Sequence, residues 1–121
     1  MVSNSWTTGL DFPESIKADA QSGRGGLGTI TLFAVGNEAA QGIDVNQYAN
    51  QSSRHAVTVG AINSDGTVAA YSNRGTSILV VAPGTAILST DDPGADGYSN
   101  ADGILGADYA IGSGTFASTP L

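Results

Sequence analysis

The fold is decided by a ten-residue stretch, Thr29-Ile30-Thr31-Leu32-Phe33-Ala34-Val35-Gly36-Asn37-Glu38. All but one of its first seven residues are β-branched or bulky and apolar, and they form a continuous run, not an alternating one. Such a run is typical of a strand that is buried on both faces, as in a parallel sheet covered by helices. The run stops at Gly36-Asn37-Glu38, and α/β folds bind ligands at the carboxyl ends of their strands.

Asn37 has two interpretations at this point. Its side-chain amide carries two N–H donors, which are suited to stabilising an oxyanion. Asparagine is also a common turn residue, and in that case Asn37 only caps the turn after the strand.

Two other apolar runs predict strands that lie beside this one, at residues 57–62 and 78–82. We expect these two and residues 29–35 in one predominantly parallel sheet, with residues 29–35 in its centre and with Leu32 and Val59 shielded from solvent. The predicted fold class is therefore α/β.

Shorter elements are predicted before the central strand. Residues 2–6 are expected to form a short strand, and residues 14–20, which follow Pro13, have the composition of a helix with acidic residues in its first turn. The glycine-rich run at residues 22–26 ends that helix.

After the second strand, the Asp-Gly turn at residues 63–66 predicts that residues 67–71 continue antiparallel or in an extended arm. Residues 86–90 predict a further short strand. Beyond residue 90 the chain is rich in Gly, Asp and Asn, and the packing points expected there are Tyr98, Ile104, Leu105, Tyr109 and Ile111.

Composition excludes several classes of protein. The chain has 121 residues, a net charge of −7 and no cysteine. A chain of this length is one domain at most. The negative charge argues against nucleic acid as a partner. Without cysteine, disulfides and thiolate chemistry are excluded. No apolar run approaches the roughly 18–20 residues of a membrane span, so no membrane partner is expected.

The charge is unevenly distributed along the chain. All four cations lie within the first 74 residues, whereas five aspartates follow them. These aspartates form either a solvated acidic surface or a calcium-binding loop. Counted from Asp92, the twelfth position of an EF-hand-like loop is Gly103 and not a bidentate carboxylate, so we predict that residues 91–102 form no high-affinity calcium site, and we assign no metal-ligating residues. The five aspartates are Asp91, Asp92, Asp96, Asp102 and Asp108.

Nine short motifs, each common by itself, follow one another over nearly the whole chain. Together and in this order they resemble the subtilisin-like serine proteases (subtilases), and within them the kexin-like branch and its bacterial relatives. The motifs are Ser3-Asn4-Ser5-Trp6, Gly23-Arg24-Gly25-Gly26-Leu27-Gly28, Phe33-Ala34-Val35-Gly36-Asn37-Glu38, Tyr48-Ala49-Asn50, Val57-Thr58-Val59-Gly60-Ala61, Tyr71-Ser72-Asn73-Arg74-Gly75, Val81-Ala82-Pro83-Gly84, Asp108-Tyr109, and Gly114-Thr115 with Pro120-Leu121.

The resemblance implies a three-layer α/β/α sandwich around a mostly parallel sheet, and catalysis by a Ser-His-Asp triad. It implies that Asn37 is the oxyanion-hole asparagine. It also implies a peptide or protein as substrate or ligand and a secreted or extracellular location, and it allows a structural calcium ion but no other cofactor. The residues that it assigns to substrate binding are Ser5, Trp6, Thr7 and Gly36.

The catalytic serine of the family lies in a Gly-Thr-Ser-x-Ala-x-Pro motif at the start of a buried helix. Here Gly114 and Thr115 are followed by Phe116, which has no nucleophilic atom. Ser118 lies about 200° further round the helix, so we expect it to point away and to serve helix packing. His55, the only histidine, is expected to be an exposed residue at a strand edge and not a general base.

The family's aspartate and histidine lie N-terminal to the segment that this chain resembles. Residues 1–121 are therefore expected to be the C-terminal half of a subtilase catalytic domain, without the part that carries these two residues. The family usually has glycine where Thr7 stands. Asn46-Gln47 and Asn73 replace acidic residues by which the kexin-like branch holds calcium and a basic substrate side chain, so cleavage after Lys or Arg is not expected.

Two functions of different classes follow. The chain is part of a serine endopeptidase by lineage, inactive as it stands, or it is a non-catalytic pseudoprotease that binds a peptide or serves as a scaffold. An Asp-Thr/Ser-Gly strand end and a His-Gly-Thr helix start in the upstream gene sequence would favour the first function.

Overall fold

A computed structural model describes residues 1–7, 11–93, 96–98 and 108–121. Four strands form one parallel sheet in the order β1-β2-β3-β4. Leu32 of β2 lies opposite Val57 of β3, and Val59 of β3 lies opposite Val80 of β4. The strands are β1 (Val2–Asn4), β2 (Thr31–Ala34), β3 (Ala56–Ile62) and β4 (Val80–Pro83).

This sheet confirms the predicted α/β fold class, because the runs at residues 29–35, 57–62 and 78–82 all contribute to it. Val59 is buried and Leu32 is partly buried, as expected. The strand predicted at residues 2–6 is also present, in a shorter form.

The buried residues concentrate in β2 and β3. Phe33, Val35, Val59 and Ala61 are almost completely shielded from solvent. The Phe33 ring also meets the Trp6 ring edge to face, with 5.7 Å between the ring centroids. This contact holds the segment after β1 against the central strand.

Helix α1 (Pro13–Gly26) begins at the predicted proline and ends its regular geometry within the predicted glycine-rich run. Gly23, Arg24 and Gly25 have non-helical dihedral angles. The Gly28 N–H donates to the Gly23 carbonyl (2.9 Å), and the Thr29 N–H donates to the Asp19 carbonyl (2.9 Å). These bonds attach the glycine-rich loop to its own helix and lead the chain into β2.

The Asp-Gly turn forms as predicted. The Asp65 carboxylate accepts hydrogen bonds from the Thr67 hydroxyl (2.6 Å) and the Thr67 N–H (2.9 Å), and these bonds lower the pKa of Asp65. The chain then returns in an antiparallel bridge between Ile62 and Val68.

A second sheet contains β5 (Ile87–Thr90) and β6 (Tyr109–Gly112), which pair antiparallel. The strand predicted at residues 86–90 is thus present, whereas β6 was not predicted. The expectation that Tyr98, Tyr109 and Ile111 are packing points was wrong, because all three are exposed. A two-stranded sheet beside the main sheet leaves much of its surface in solvent.

Ile104 and Leu105, the other two expected packing points, lie outside the described residues. A short helix, α2 (Thr115–Ser118), follows β6. In the described ranges, neither helix has both the length and the apolar character needed to cross a bilayer.

Two glycines in the loop after α1 provide a matched test of its geometry. Both have positive φ angles, +96° at Gly26 and +78° at Gly28, but only a Cβ at Gly28 would meet another atom, 2.5 Å from the Ala20 carbonyl oxygen. We expect Gly26→Ala to lower the free energy of unfolding by about 1–2 kcal/mol, which is the penalty of a left-handed conformation. Gly28→Ala should lower the free energy of unfolding by about 1–3 kcal/mol more, because the added methyl group would clash with the Ala20 carbonyl oxygen. Urea unfolding of both variants measures this difference, and equal losses would contradict it.

Candidate active site

The carboxyl end of β2 meets the start of α2 through two hydrogen bonds. The Gly36 N–H donates to Thr115 Oγ1 (3.2 Å), and the Thr115 N–H donates to Asn37 Oδ1 (2.9 Å). Thr115 is almost completely buried. The two segments, separated by 78 residues in sequence, are therefore held at a defined distance and orientation.

Asn37 caps α2 and not its own turn. Its Oδ1 faces the Thr115 N–H, so its other amide atom, Nδ2, must point elsewhere. A Cβ placed on Gly114 would lie 3.2 Å from Nδ2, which locates this donor beside the residue that precedes the helix. The side chain is exposed, so the two N–H groups of Nδ2 are accessible to a ligand.

A small cleft of about 110 Å³ opens at this junction. It brings together residues from the segment after β1, the end of β2 and the start of α2. All but one of the site residues predicted from the sequence line it, and the exception, Gly114, is next to Thr115. The cleft is lined by Ser5, Trp6, Thr7, Ala34, Gly36, Asn37, Glu38, Thr115 and Phe116.

Phe116 occupies the position that the resemblance assigns to the nucleophile. Its side chain is 46% exposed, and its ring lies so close to Gly114 that a Cβ there would overlap it, 2.5 Å from Phe116 Cδ1. The ring also lines an apolar groove of about 700 Å³ between α2 and the β5–β6 sheet. Phe116 thus forms a wall between the cleft and the groove.

Ser118 is completely buried, and its hydroxyl donates to the Thr115 carbonyl (2.9 Å). A Cβ placed on Gly84 would lie 3.3 Å from Ser118 Cβ, so Ser118 packs against the loop after β4. This hydroxyl faces away from the cleft.

His55 immediately precedes β3, at the amino edge of the parallel sheet. Asn37 lies at the opposite, carboxyl edge, so His55 cannot reach it. His55 is half-buried and not fully exposed as expected from the sequence, because residues at the amino ends of the strands partly cover it.

Asn73 supports the candidate site through four hydrogen bonds, whereas the sequence indicated only that it replaces an acidic residue of the kexin-like branch. Its Nδ2 donates to the Val35 carbonyl (2.9 Å) and to Glu38 Oε2 (2.8 Å), while its Oδ1 accepts the Glu38 N–H (2.8 Å). Its own N–H donates to the Gly36 carbonyl (3.1 Å). Neither that replacement nor its place in the motif of residues 71–75 indicates these hydrogen-bond partners.

Gly36 has a φ angle of +95°, and a Cβ there would lie 2.6 Å from Asn73 Nδ2. A side chain at this position would therefore displace the network around Asn73. The absence of a Cβ allows Asn73 to reach the backbone on both sides of Gly36.

Within the described ranges, no group of three His, Cys, Asp or Glu residues is placed to hold a metal ion. Asn46, which the resemblance places where the kexin-like branch has an acidic residue, accepts hydrogen bonds at Oδ1 from the Ser77 N–H (3.1 Å) and the Thr76 hydroxyl (3.3 Å). Asp102 and Gly103 of the predicted acidic loop lie outside the described residues.

The sequence profile of the subtilase family matches residues 1–121. The chain belongs to the subtilase family. Among curated subtilase relatives, it is 36% identical to an extracellular protease of Xanthomonas campestris pv. campestris over 102 residues, which are 84% of this chain and 16% of the relative. It is 32% identical to subtilisin-like protease 1 of Pseudogymnoascus destructans over 93 residues, which are 77% of this chain and 20% of that relative.

The fold of the chain is similar to that of solved serine proteases. The serine protease of Aeromonas sobria superposes with a TM-score of 0.75 at 23% identity, over 98% of this chain and 28% of that protein. A cold-adapted subtilisin-like serine proteinase superposes with a TM-score of 0.65 at 22% identity, over 97% of this chain and 36% of that protein. The chain thus spans about a third or less of the length of these proteins.

The hydrogen bonds of Asn73 give a prediction for Asn73→Asp. An oxygen would replace Nδ2 and would face both the Val35 carbonyl and the Glu38 carboxylate. We expect the free energy of unfolding at pH 7 to fall by about 2–4 kcal/mol. The loss, measured against the parent chain at the same pH, should shrink as the pH is lowered, because protonation of either carboxyl group removes the repulsion.

Glu38→Gln in the same chain is the matched rescue, because its amide can donate to the new carboxylate. The double variant should recover part of the stability at pH 7 in urea unfolding. If it is no more stable than Asn73→Asp, the contact between these two side chains does not support the site.

Proposed function

We propose that the chain is part of a subtilisin-like serine endopeptidase domain, to which it contributes the oxyanion-binding and substrate-contacting side, and that as it stands it does not hydrolyse peptide bonds. The observation that carries the proposal is the hydrogen bond from the Thr115 N–H to Asn37 Oδ1 (2.9 Å). It leaves the Asn37 Nδ2 beside Gly114, close to Phe116, and this position supports Asn37 as a donor to a reacting carbonyl oxygen.

The proposal that this chain is only part of a peptidase domain rests on its length relative to its relatives. The chain spans 16% and 20% of the two curated relatives described above. We propose that residues 1–121 belong to the C-terminal half of the peptidase domain, and that the triad Asp and His belong to a preceding segment. We propose the kexin-like branch or a bacterial relative of it, by the resemblance of the nine motifs taken together.

A secreted location is part of the proposal. Relatives of this chain include an extracellular protease of Xanthomonas campestris pv. campestris and an extracellular basic protease of Dichelobacter nodosus. A peptide or protein is the proposed substrate class, by membership of the family.

The proposed inactivity follows from the chemistry that serine proteases need. A nucleophile attacks the carbonyl, a base accepts the nucleophile's proton, and a third group orients the base. Phe116 cannot attack, the Ser118 hydroxyl is buried and donates to a carbonyl, and His55 lies at the other edge of the sheet. An oxyanion hole alone retains roughly 10³–10⁴-fold acceleration over the uncatalysed rate, which is too little for ordinary assays of peptide hydrolysis.

A fluorophosphonate probe, which labels activated serines, tests this proposal together with a panel of fluorogenic peptides. We expect neither labelling nor turnover for the parent chain, for Ser118→Ala or for Phe116→Ser, since the last variant restores a hydroxyl without a base. An active subtilisin is the positive control. Labelling of the parent chain that disappears in Ser118→Ala would overturn the proposal, because Ser118 would then be the nucleophile.

A second function, the binding of a peptide without cleavage, is favoured by the cleft itself. The cleft remains open beside Phe116, at about 110 Å³, and it combines the Asn37 amide with the Trp6 ring. A space of this size suits a small side chain, and the amide suits a peptide carbonyl. Trp6 is the only tryptophan of the chain, so its fluorescence reports on the cleft.

Titration with blocked hexapeptides that carry alanine or phenylalanine in the centre tests this second function. We expect a saturable change in Trp6 fluorescence, with tighter binding of the alanine peptide. Asn37→Asp is the matched variant, because it keeps an oxygen for the Thr115 N–H and removes the Nδ2 donor, and it should weaken binding about fivefold or more. An unchanged response in Asn37→Asp would exclude Asn37 as the ligand's donor.

A further inference from the structure

A second concave surface lies at the amino edge of the parallel sheet, where β2, β3 and β4 begin. It is a groove of about 470 Å³, and we call it the basic groove. Because the strands are parallel, this edge is opposite the one that carries Asn37. Its basic and its large aliphatic lining residues include Arg24, Leu27, Ile30, Arg54, His55 and Leu79.

The groove concentrates positive charge in an acidic chain. Of the four Lys and Arg residues in the sequence, Arg24 and Arg54 line the groove. Lys17 lies in an adjoining cavity of about 390 Å³ that shares Arg54 and His55 with it. Three of the four cations are therefore gathered on this side of the molecule, although the net charge is −7.

Among the residues that the structure describes, neither arginine of the groove forms an ion pair. The sequence offers eleven Asp and Glu residues, yet in the part of the chain that the structure describes the ion pair is Lys17–Glu14, at 3.5 Å. Both arginine side chains are exposed. Their charge thus remains available to an external anion.

The backbone of Arg24 has a conformation that is unfavourable for a residue with a side chain. Its φ angle is +55°, in the left-handed region that glycine prefers, and its neighbours Gly23 and Gly25 also leave the helical conformation. The loop is attached to α1 by the hydrogen bond from the Gly28 N–H to the Gly23 carbonyl. The loop therefore holds the backbone of Arg24 at the groove.

The same surface exposes large aliphatic side chains. Leu27 is 78% exposed, Ile30 is 61% exposed and Leu79 is 67% exposed. Exposed apolar side chains that lie together beside charged residues are typical of interaction sites. A ligand for this surface needs both negative charge and apolar groups.

We propose that the basic groove binds an acidic polypeptide segment of a partner protein, in which aliphatic side chains alternate with carboxylates. The carboxylates would pair with Arg24 and Arg54, and the aliphatic groups would cover Leu27, Ile30 and Leu79. A concave groove fits an extended segment better than a flat anionic bilayer. A second copy of the chain is disfavoured because each copy carries a charge of −7.

Fluorescence anisotropy with a short labelled peptide of alternating Asp, Glu and Leu residues tests the proposal on the full chain. We expect saturable binding that weakens as salt is added, since exposed charges are screened. Two control peptides, one with Asn and Gln in place of the acids and one with Ser in place of Leu, should bind much more weakly.

Arg24→Gly is the decisive variant. Glycine accepts the positive φ angle, so this variant should be at least as stable as the parent, yet it should bind the acidic peptide about fivefold more weakly. Arg54→Gln should have a similar effect on binding. Arg74→Gln removes the same charge outside the basic groove and is the matched control, for which we expect binding close to that of the parent.

Three results would overturn the proposal. The first is an equal loss of binding in Arg74→Gln and Arg24→Gly, which would indicate a non-specific effect of net charge. The second is the absence of saturable peptide binding at low salt. The third is binding of anionic vesicles, or self-association in sedimentation, that depends on Arg24 and Arg54 while the peptide does not bind.

Discussion

The site depends on the reciprocal hydrogen bonds between the end of β2 and the start of α2. Gly36 donates to the Thr115 side chain, while the Thr115 backbone donates to the Asn37 side chain. Each bond satisfies a backbone N–H that would otherwise lack a partner, one at a strand end and one at a helix start. The same contact orients the Asn37 amide, so the stability of the junction and the geometry of the candidate site have one physical cause.

This junction is supported by groups that are distant in sequence. Asn73 ties together the backbone on both sides of Gly36 and also contacts the Glu38 carboxylate. Its side chain is almost completely buried, so each of its polar atoms needs a partner within the protein. These hydrogen bonds are all present in a chain that has Phe116 at the start of α2. The network therefore holds the walls of the cleft in place independently of the chemical nature of residue 116.

The two edges of the sheet differ in chemistry. At the carboxyl edge the Asn37 amide, the acidic residue Glu38 and two aromatic rings line a small cleft. At the amino edge two arginines and exposed aliphatic side chains line a larger groove. Parallel strands make this separation possible, because their beginnings and their ends form opposite edges of the sheet. A partner at the basic groove would leave the cleft accessible.

Several features could be read from the sequence alone because their causes are local. Continuous apolar runs identified the three main strands, and the glycine-rich run identified the end of α1. The residue at position 116 is enough to exclude a serine nucleophile there, since this conclusion depends on chemical identity and not on conformation. By contrast, β6 was not predicted, because its four residues follow a Gly- and Asp-rich segment and are too few to show a strand pattern. Only their pairing with β5 identifies them as a strand.

The tertiary structure alone decided which distant residues meet. It showed that Asn37 caps a helix 78 residues away, that Asn73 supports Gly36, and that Arg24 and Arg54 share a groove with exposed aliphatic residues. Sequence spacing cannot give such contacts, because they depend on the path of the chain between the residues. The physical reason is that hydrogen bonds and charge act over a few ångströms in space, whatever the separation along the chain.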